Sequence, residues 1–169
     1  MKMESLFLLA EKEKINITYI PLRKYRNSLW GLYFSGQSGG APSIYLDLGL
    51  YNNPRLYKLA RCILAEELGH HFTGIGSSVF NTHASYSLER KMSADDQKAL
   101  RWATGKLIPT GEITALLKKG RHLHIDLADY FGVTQWFMFR KMEFLQYQAR
   151  ARHHQELNHL ITQTKISCL

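Results

Sequence analysis

The apolar positions of the chain change period along its length, and each change marks an element. Glu4 to Lys14 has helical spacing. Ile15 to Leu22, INITYIPL, alternates and is rich in β-branched residues, which predicts a strand. Leu29 to Gly36 and Pro42 to Leu50 predict two more, and the turn-forming GQSGGAP between them joins them as a hairpin with a long loop. Asn53 to Gly74 is strongly helical: Asn53 is placed to cap it, Pro54 sits in its first turn and Gly74 can end it. After a polar loop, Ser93 followed by Asp96 resembles a capping box with Asp in the place of Glu or Gln, and the helix it opens stops at Pro109. Thr110 to Gly120 and Ile125 to Phe131 read as short helices, and the residues from Val133 to Leu160 as one long helix. The expected class is α+β: a helix, a small antiparallel sheet, a central helix, then an all-helical remainder.

The central helix carries polar groups where apolar ones are expected. At about 100° per residue, Leu56, Leu59, Ala60, Ile63, Leu64 and Leu68 form one apolar arc. Glu66, Glu67, His70 and His71 fall within that arc or at its edge, whereas Lys58, Arg61, Ala65 and Gly69 lie largely on the other side. A buried carboxylate is costly unless it is paired or binds a metal. Two readings follow. Glu66 with His70, and Glu67 with His71, have the i, i+4 spacing of hydrogen-bonded pairs. Alternatively, residues one turn apart can both reach one cation, as the two His of H-E-x-x-H do in zinc peptidases, where the Glu after the first His is the general base. In AEELGHH, Glu67 holds the base's position, His70 the second ligand's, and Glu66 replaces the first His. A carboxylate can bind zinc, and its added charge favours a harder ion such as Mn2+.

Composition narrows the setting. The 169 residues are 45% hydrophobic and 21% charged, which fits a folded chain and not a disordered one. There is no apolar run long enough to cross a membrane, and the first residues read as a helix, not a signal peptide, so a cytoplasmic location is expected. The two cysteines, Cys62 and Cys168, imply no disulfide framework. The net charge is +8, skewed to the second half: ten Lys and Arg against seven Asp and Glu up to residue 90, twelve against seven after it. That bias suits a nucleic acid or an acidic protein, and equally a merely soluble basic protein.

The stretch ILAEELGHHFTG, preceded by a helix and three short strands, resembles the ImmA/IrrE family of metallopeptidases, particularly short members encoded by phages and mobile elements. IPLRKYRNSLWGLYFSG resembles the family's first sheet strands, and PSIYLDLGLYNNPRLYKLARCILAEELGHH the strand feeding the active helix. KALRWATGKLIP resembles the next helix and HIDLADYFGVTQWFMFRKMEFL the C-terminal helical segment, so the likeness spans roughly Met3 to Leu145. It implies a zincin-like core over residues 1–109, with the sheet packed on the active-site helix, and a helical segment over 110–169 packed on that core. It also implies Glu67 as the general base, with His70 and Glu66 as metal ligands. The third ligand is expected to be acidic and early in the following helix. Counting back from Pro109 gives Lys98, which cannot serve; Asp95 and Asp96 are the nearest carboxylates, and Asp96 is the expected ligand. A plain helix N-terminal charge is its other role. His71 and His83 are further candidates.

The cofactor implied by the resemblance is Zn2+, or another divalent cation such as Mn2+. The activity implied is that of an endopeptidase cleaving a helix-turn-helix repressor protein, which would derepress a phage or mobile element. The alternative is a catalytically inactive relative that binds a repressor or DNA as a regulator. An extended substrate is expected to pair with a sheet edge, placed in PSIYLDLGL.

LADYFGVTQWFMFRKM, within residues 125–142, fits a helix-turn-helix: Gly132 supplies the turn and Thr134 can cap the second helix. Arg140, Lys141, Arg150 and Arg152 add positive charge. Yet Trp136, Phe137, Met138 and Phe139 in a row suit packing better than groove reading, which argues against direct DNA binding.

Overall fold

The computed structural model describes residues 2–36, 39–74, 93–120 and 123–165. Among them the chain is α+β, with eight α-helices and a three-stranded mixed sheet. It divides into two units, Met1–Ala103 and Thr104–Leu169, and the division falls inside a helix and not at Pro109. Among the described residues no helix is long and apolar enough to cross a membrane.

In the first unit, α1 (Met3–Lys12) buries Leu6 and Ala10, one turn apart. Lys14, with φ of +56°, then turns the chain into β1 (Asn16–Ile20). β2 (Gly31–Phe34) and β3 (Ser43–Asp47) pair antiparallel, as a hairpin requires. The sheet as a whole is not antiparallel, however. β1 runs parallel to β3, with Asn16 opposite Ser43 and Ile20 opposite Asp47, and the strand order is β1-β3-β2. Residues 21–30 carry the chain from one side of β3 to the other, anchored by buried Leu22 and Leu29, so β1 and β3 point the same way.

Two further expectations change here. Pro42 to Leu50 is not one strand, because Asp47 caps a short helix, α2 (Leu48–Asn52), accepting from Gly49 N at 2.9 Å and from Arg23 N at 2.9 Å. Nor is it an edge: β3 is the central strand, and its Ile44 and Leu46 are wholly buried.

Asn53 caps the turn Pro54–Leu56, accepting from Arg55 N at 3.0 Å, and that turn leads into α3 (Tyr57–Phe72). Every residue from Ala60 to His70 is buried, including Arg61, Ala65 and Gly69, which the helical period had placed away from the core. The reason is a second packing layer. α4 (Ala94–Leu107) lies so close that a Cβ at Gly69 would stand 2.4 Å from the Ala99 carbonyl oxygen. An amphipathic reading assumes one buried face, whereas α3 is covered by the sheet and by α4.

The second unit holds α5 (Thr110–Lys118), α6 (His124–Phe131), α7 (Gln135–Ala151) and α8 (Gln155–Lys165). The joint between α6 and α7 follows the sequence pattern: Gly132 ends α6 at φ of +62°, and Thr134 Oγ1 accepts from Phe137 N at 3.2 Å. Phe137 and Met138 are wholly buried. Two of the four cations counted toward a basic face are engaged within the unit. Lys141 is buried and donates to Thr110 Oγ1 at 3.0 Å, and Arg140 pairs with Glu143 at 2.6 Å. The expected single final helix is two. His153, at φ of +53°, breaks it, and His154 N donates back to Ala149 O at 2.8 Å. The break lets α8 bury Ile161 and Thr164, with Thr164 Oγ1 3.2 Å from His124 Nε2.

Burial lowers the Lys141 pKa from 10.5 to about 8. Between those values the unfolded chain binds more proton than the folded one, so stability rises with pH across that window and is flat, in this respect, below it. Denaturant unfolding measured from pH 7 to 10.5 should show that rise in the wild type and its loss in Lys141→Met. Equal slopes in the two proteins would mean that Lys141 titrates as a solvated lysine.

Candidate metal and acid-base centre

α3 sets the site, because one and a half turns of it carry Glu66, Glu67, His70 and His71. Glu67 is wholly buried, and the first residue of β2 lies over it: a Cβ at Gly31 would stand 2.5 Å from Glu67 Oε1 and 2.6 Å from Ile63 Cγ2. Glycine at that strand position lets the backbone pass directly against the carboxylate. Glu66 is also buried.

His70 points toward α4. Its Nε2 stands 3.8 Å from Asp96 Oδ1, too far for a hydrogen bond, with the imidazole 3% and the carboxylate 16% exposed. α4 brings Asp96 there because its N-terminus is capped reciprocally. Asp96 N donates to Ser93 Oγ at 3.1 Å, and Ser93 N donates to Asp96 Oδ2 at 3.3 Å. Oδ2 thus caps the helix, while Oδ1 is a buried atom with no hydrogen-bond partner on the side of His70. Asp95 is separated from this group, since it pairs with Lys98 at the surface at 3.2 Å.

His71 turns the other way. Its Nδ1 is 3.0 Å from the Tyr33 hydroxyl and its Nε2 is 3.9 Å from Glu13 Oε2. β2 and α1 thus supply neighbours of His71 beyond its own helix. Burial raises the Tyr33 pKa, so the phenol stays protonated at neutral pH, and the His71 tautomer sets which of the two groups donates. Phe72 stacks on Trp102 of α4 with ring centroids 4.7 Å apart, a second tie between the two helices.

The structure brings His70 and Asp96, two of the three expected ligands, to 3.8 Å of each other. It does not bring Glu66 into one group with them: among the described residues no three His, Cys, Asp or Glu side chains stand close enough to hold one ion. His83 lies outside the described residues. Tyr33, Glu13 and Gly31 were missed in the sequence. Only Gly31 carried a signal, an isolated glycine in a strand pattern, which marks a close approach. One imidazole nitrogen and one carboxylate oxygen, 3.8 Å apart and buried, are donors of the type and spacing that one divalent cation can bridge. No family model, curated protein or solved structure matches the chain.

Proposed function

We infer that the protein is a divalent-cation-dependent endopeptidase, with Glu67 as general base and His70 and Asp96 as metal ligands. The observation that carries this reading is the His70–Asp96 pair on a helix whose Glu67, three residues before His70, is wholly buried beneath the β2 strand. Glu66 is buried on the same helix but does not join His70 and Asp96 in one group, so the protein supplies two ligands in this reading. Zn2+ or Mn2+ suits such a mixed nitrogen and oxygen set. Bound there, the ion supplies Lewis acidity to the scissile carbonyl. Glu67 takes the proton of the attacking water and returns it to the leaving amine nitrogen.

The sheet edge supports an extended peptide substrate. Asp47 N donates to Trp30 O at 2.9 Å, which turns the Trp30 backbone toward β3. Backbone groups alternate along an antiparallel strand, so those of Gly31 and Tyr33 face the outer edge of β2. A peptide adding as a strand to that edge passes directly beside Glu67. The edge is β2, in place of the segment expected from the sequence. The substrate class in this reading is a helix-turn-helix repressor protein, whose cleavage relieves repression of a phage or mobile element.

The test compares two neighbouring aspartates. Asp96→Ala should strip the purified protein of its metal and of repressor cleavage, whereas Asp95→Ala, at a surface ion pair, should change neither. Equal metal content in both variants would remove Asp96 from the site. The second reading, a metal-free regulator that binds its repressor without cutting it, draws on the absence of a three-ligand group among the described residues. Metal-free protein whose antirepressor effect survives Glu67→Gln would establish it.

A further inference from the structure

The turn before β2 is basic and aromatic. Arg23, Lys24 and Tyr25 are exposed, with Tyr25 at 82%, and Arg26 follows them. The turn is not a loose surface run. Arg23 N donates to Asp47 Oδ2, Arg23 Nε donates to Asn27 O at 3.0 Å, and the guanidinium lies 4.3 Å from the centre of the Trp30 ring. Trp30 immediately precedes Gly31, the residue over Glu67. A fixed positive charge therefore stands beside Trp30, at one end of the β2 edge that no strand pairs among the described residues, and its turn is held by a buried aspartate.

We propose that the Arg23–Arg26 turn selects acidic residues on the peptide paired to β2. The proposal rests on the peptidase reading only in taking that edge as the substrate strand's seat. A strand advances about 3.3 Å per residue, so a peptide residue two or three places from the one opposite Gly31 reaches the turn. The selectivity is consequently one-sided: acidic residues are favoured on the flank beyond Trp30 and not on the flank running toward Phe34. Nothing in the turn reads a particular side-chain shape, so Asp and Glu both serve.

The test separates binding from cleavage. Glu67→Gln protein, immobilised, is incubated with a library of peptides from a protease-digested proteome, and retained peptides are identified by mass spectrometry. Retained peptides should be enriched in Asp and Glu by about two- to fivefold per acidic residue, the size expected of exposed ion pairs, and less so as salt rises. The Arg23→Ser/Lys24→Ser/Arg26→Ser variant should lose the enrichment. Lys24→Glu, a change at one exposed side chain, should lower it while leaving the melting temperature unchanged. With the wild-type protein, cleaved peptides should carry the same bias on one side of the cut only. Retention without acidic bias, or a bias that survives the triple substitution, overturns the proposal. Acidic bias in retention with no cleavage by the wild type would sink the peptidase reading and leave the turn's role standing. Labelled DNA retained through the same three residues, with no acidic bias among peptides, would assign the turn to nucleic acid instead.

Discussion

Glu67→Gln should lower repressor cleavage by about 10²–10⁴-fold while leaving bound metal in place. The substitution keeps the volume and removes only the ability to take a proton. Glu67 is wholly buried under Gly31, so no neighbouring side chain can swing into its position without displacing the β2 backbone. The folded state should not suffer. Glutamine keeps the buried volume and shape, so the melting temperature should hold. Cleavage assays on proteins of equal metal content, with thermal unfolding alongside, check both halves. Activity within a few-fold of wild type would remove Glu67 from the chemistry, whatever the metal does. Gly31→Ala is a harsher version, because its Cβ would meet Glu67 Oε1 at 2.5 Å and push the carboxylate off its position.

Gly69→Val should destabilise the first unit by about 3 kcal/mol and also abolish metal binding. The side chain would enter the seam where α3 meets α4, within 2.4 Å of the Ala99 oxygen, 2.9 Å of its carbonyl carbon and 3.0 Å of its Cα. All three are backbone atoms, so no flexible side chain can yield and α4 itself must move. Asp96 sits near the start of α4, and its Oδ1 is placed against His70 only by that helix's position. Displacing α4 therefore separates the pair. Gly105→Ala in the same helix is the control: nothing lies within 4 Å of its Cβ, and alanine's helix propensity should add about 0.5–1 kcal/mol of stability. A Gly69→Val protein that unfolds like wild type and keeps its metal would show that α4 is not held by this contact.

Much of the local structure was legible because its causes are local. The Ser93–Asp96 cap, the Asn53 cap and the Gly132–Thr134 joint each depend on side chains within four residues of the backbone they serve. The break at His153 was not legible. No glycine or proline marks it, and the left-handed residue is stabilised by what α8 gains in burying Ile161 and Thr164. The parallel placing of β1 was equally hidden, since it is decided by which way residues 21–30 cross β3, not by the strand's own alternation.

The candidate site divides along the same line. The sequence by itself determined that Glu66, Glu67, His70 and His71 share a buried helix, because their spacing against Leu64 and Leu68 is a property of one segment. The family resemblance added Asp95 and Asp96, with His71 and His83, as candidates for a third ligand. Only the tertiary structure shows that Asp95 turns to Lys98 and Asp96 to His70, and that His71 faces Tyr33 and Glu13. Those choices follow from how closely two backbones approach. The missing Cβ at Gly69 brings α4 against α3, and the missing Cβ at Gly31 brings β2 over Glu67. A helical period records which way a side chain points, but not what another segment places in front of it.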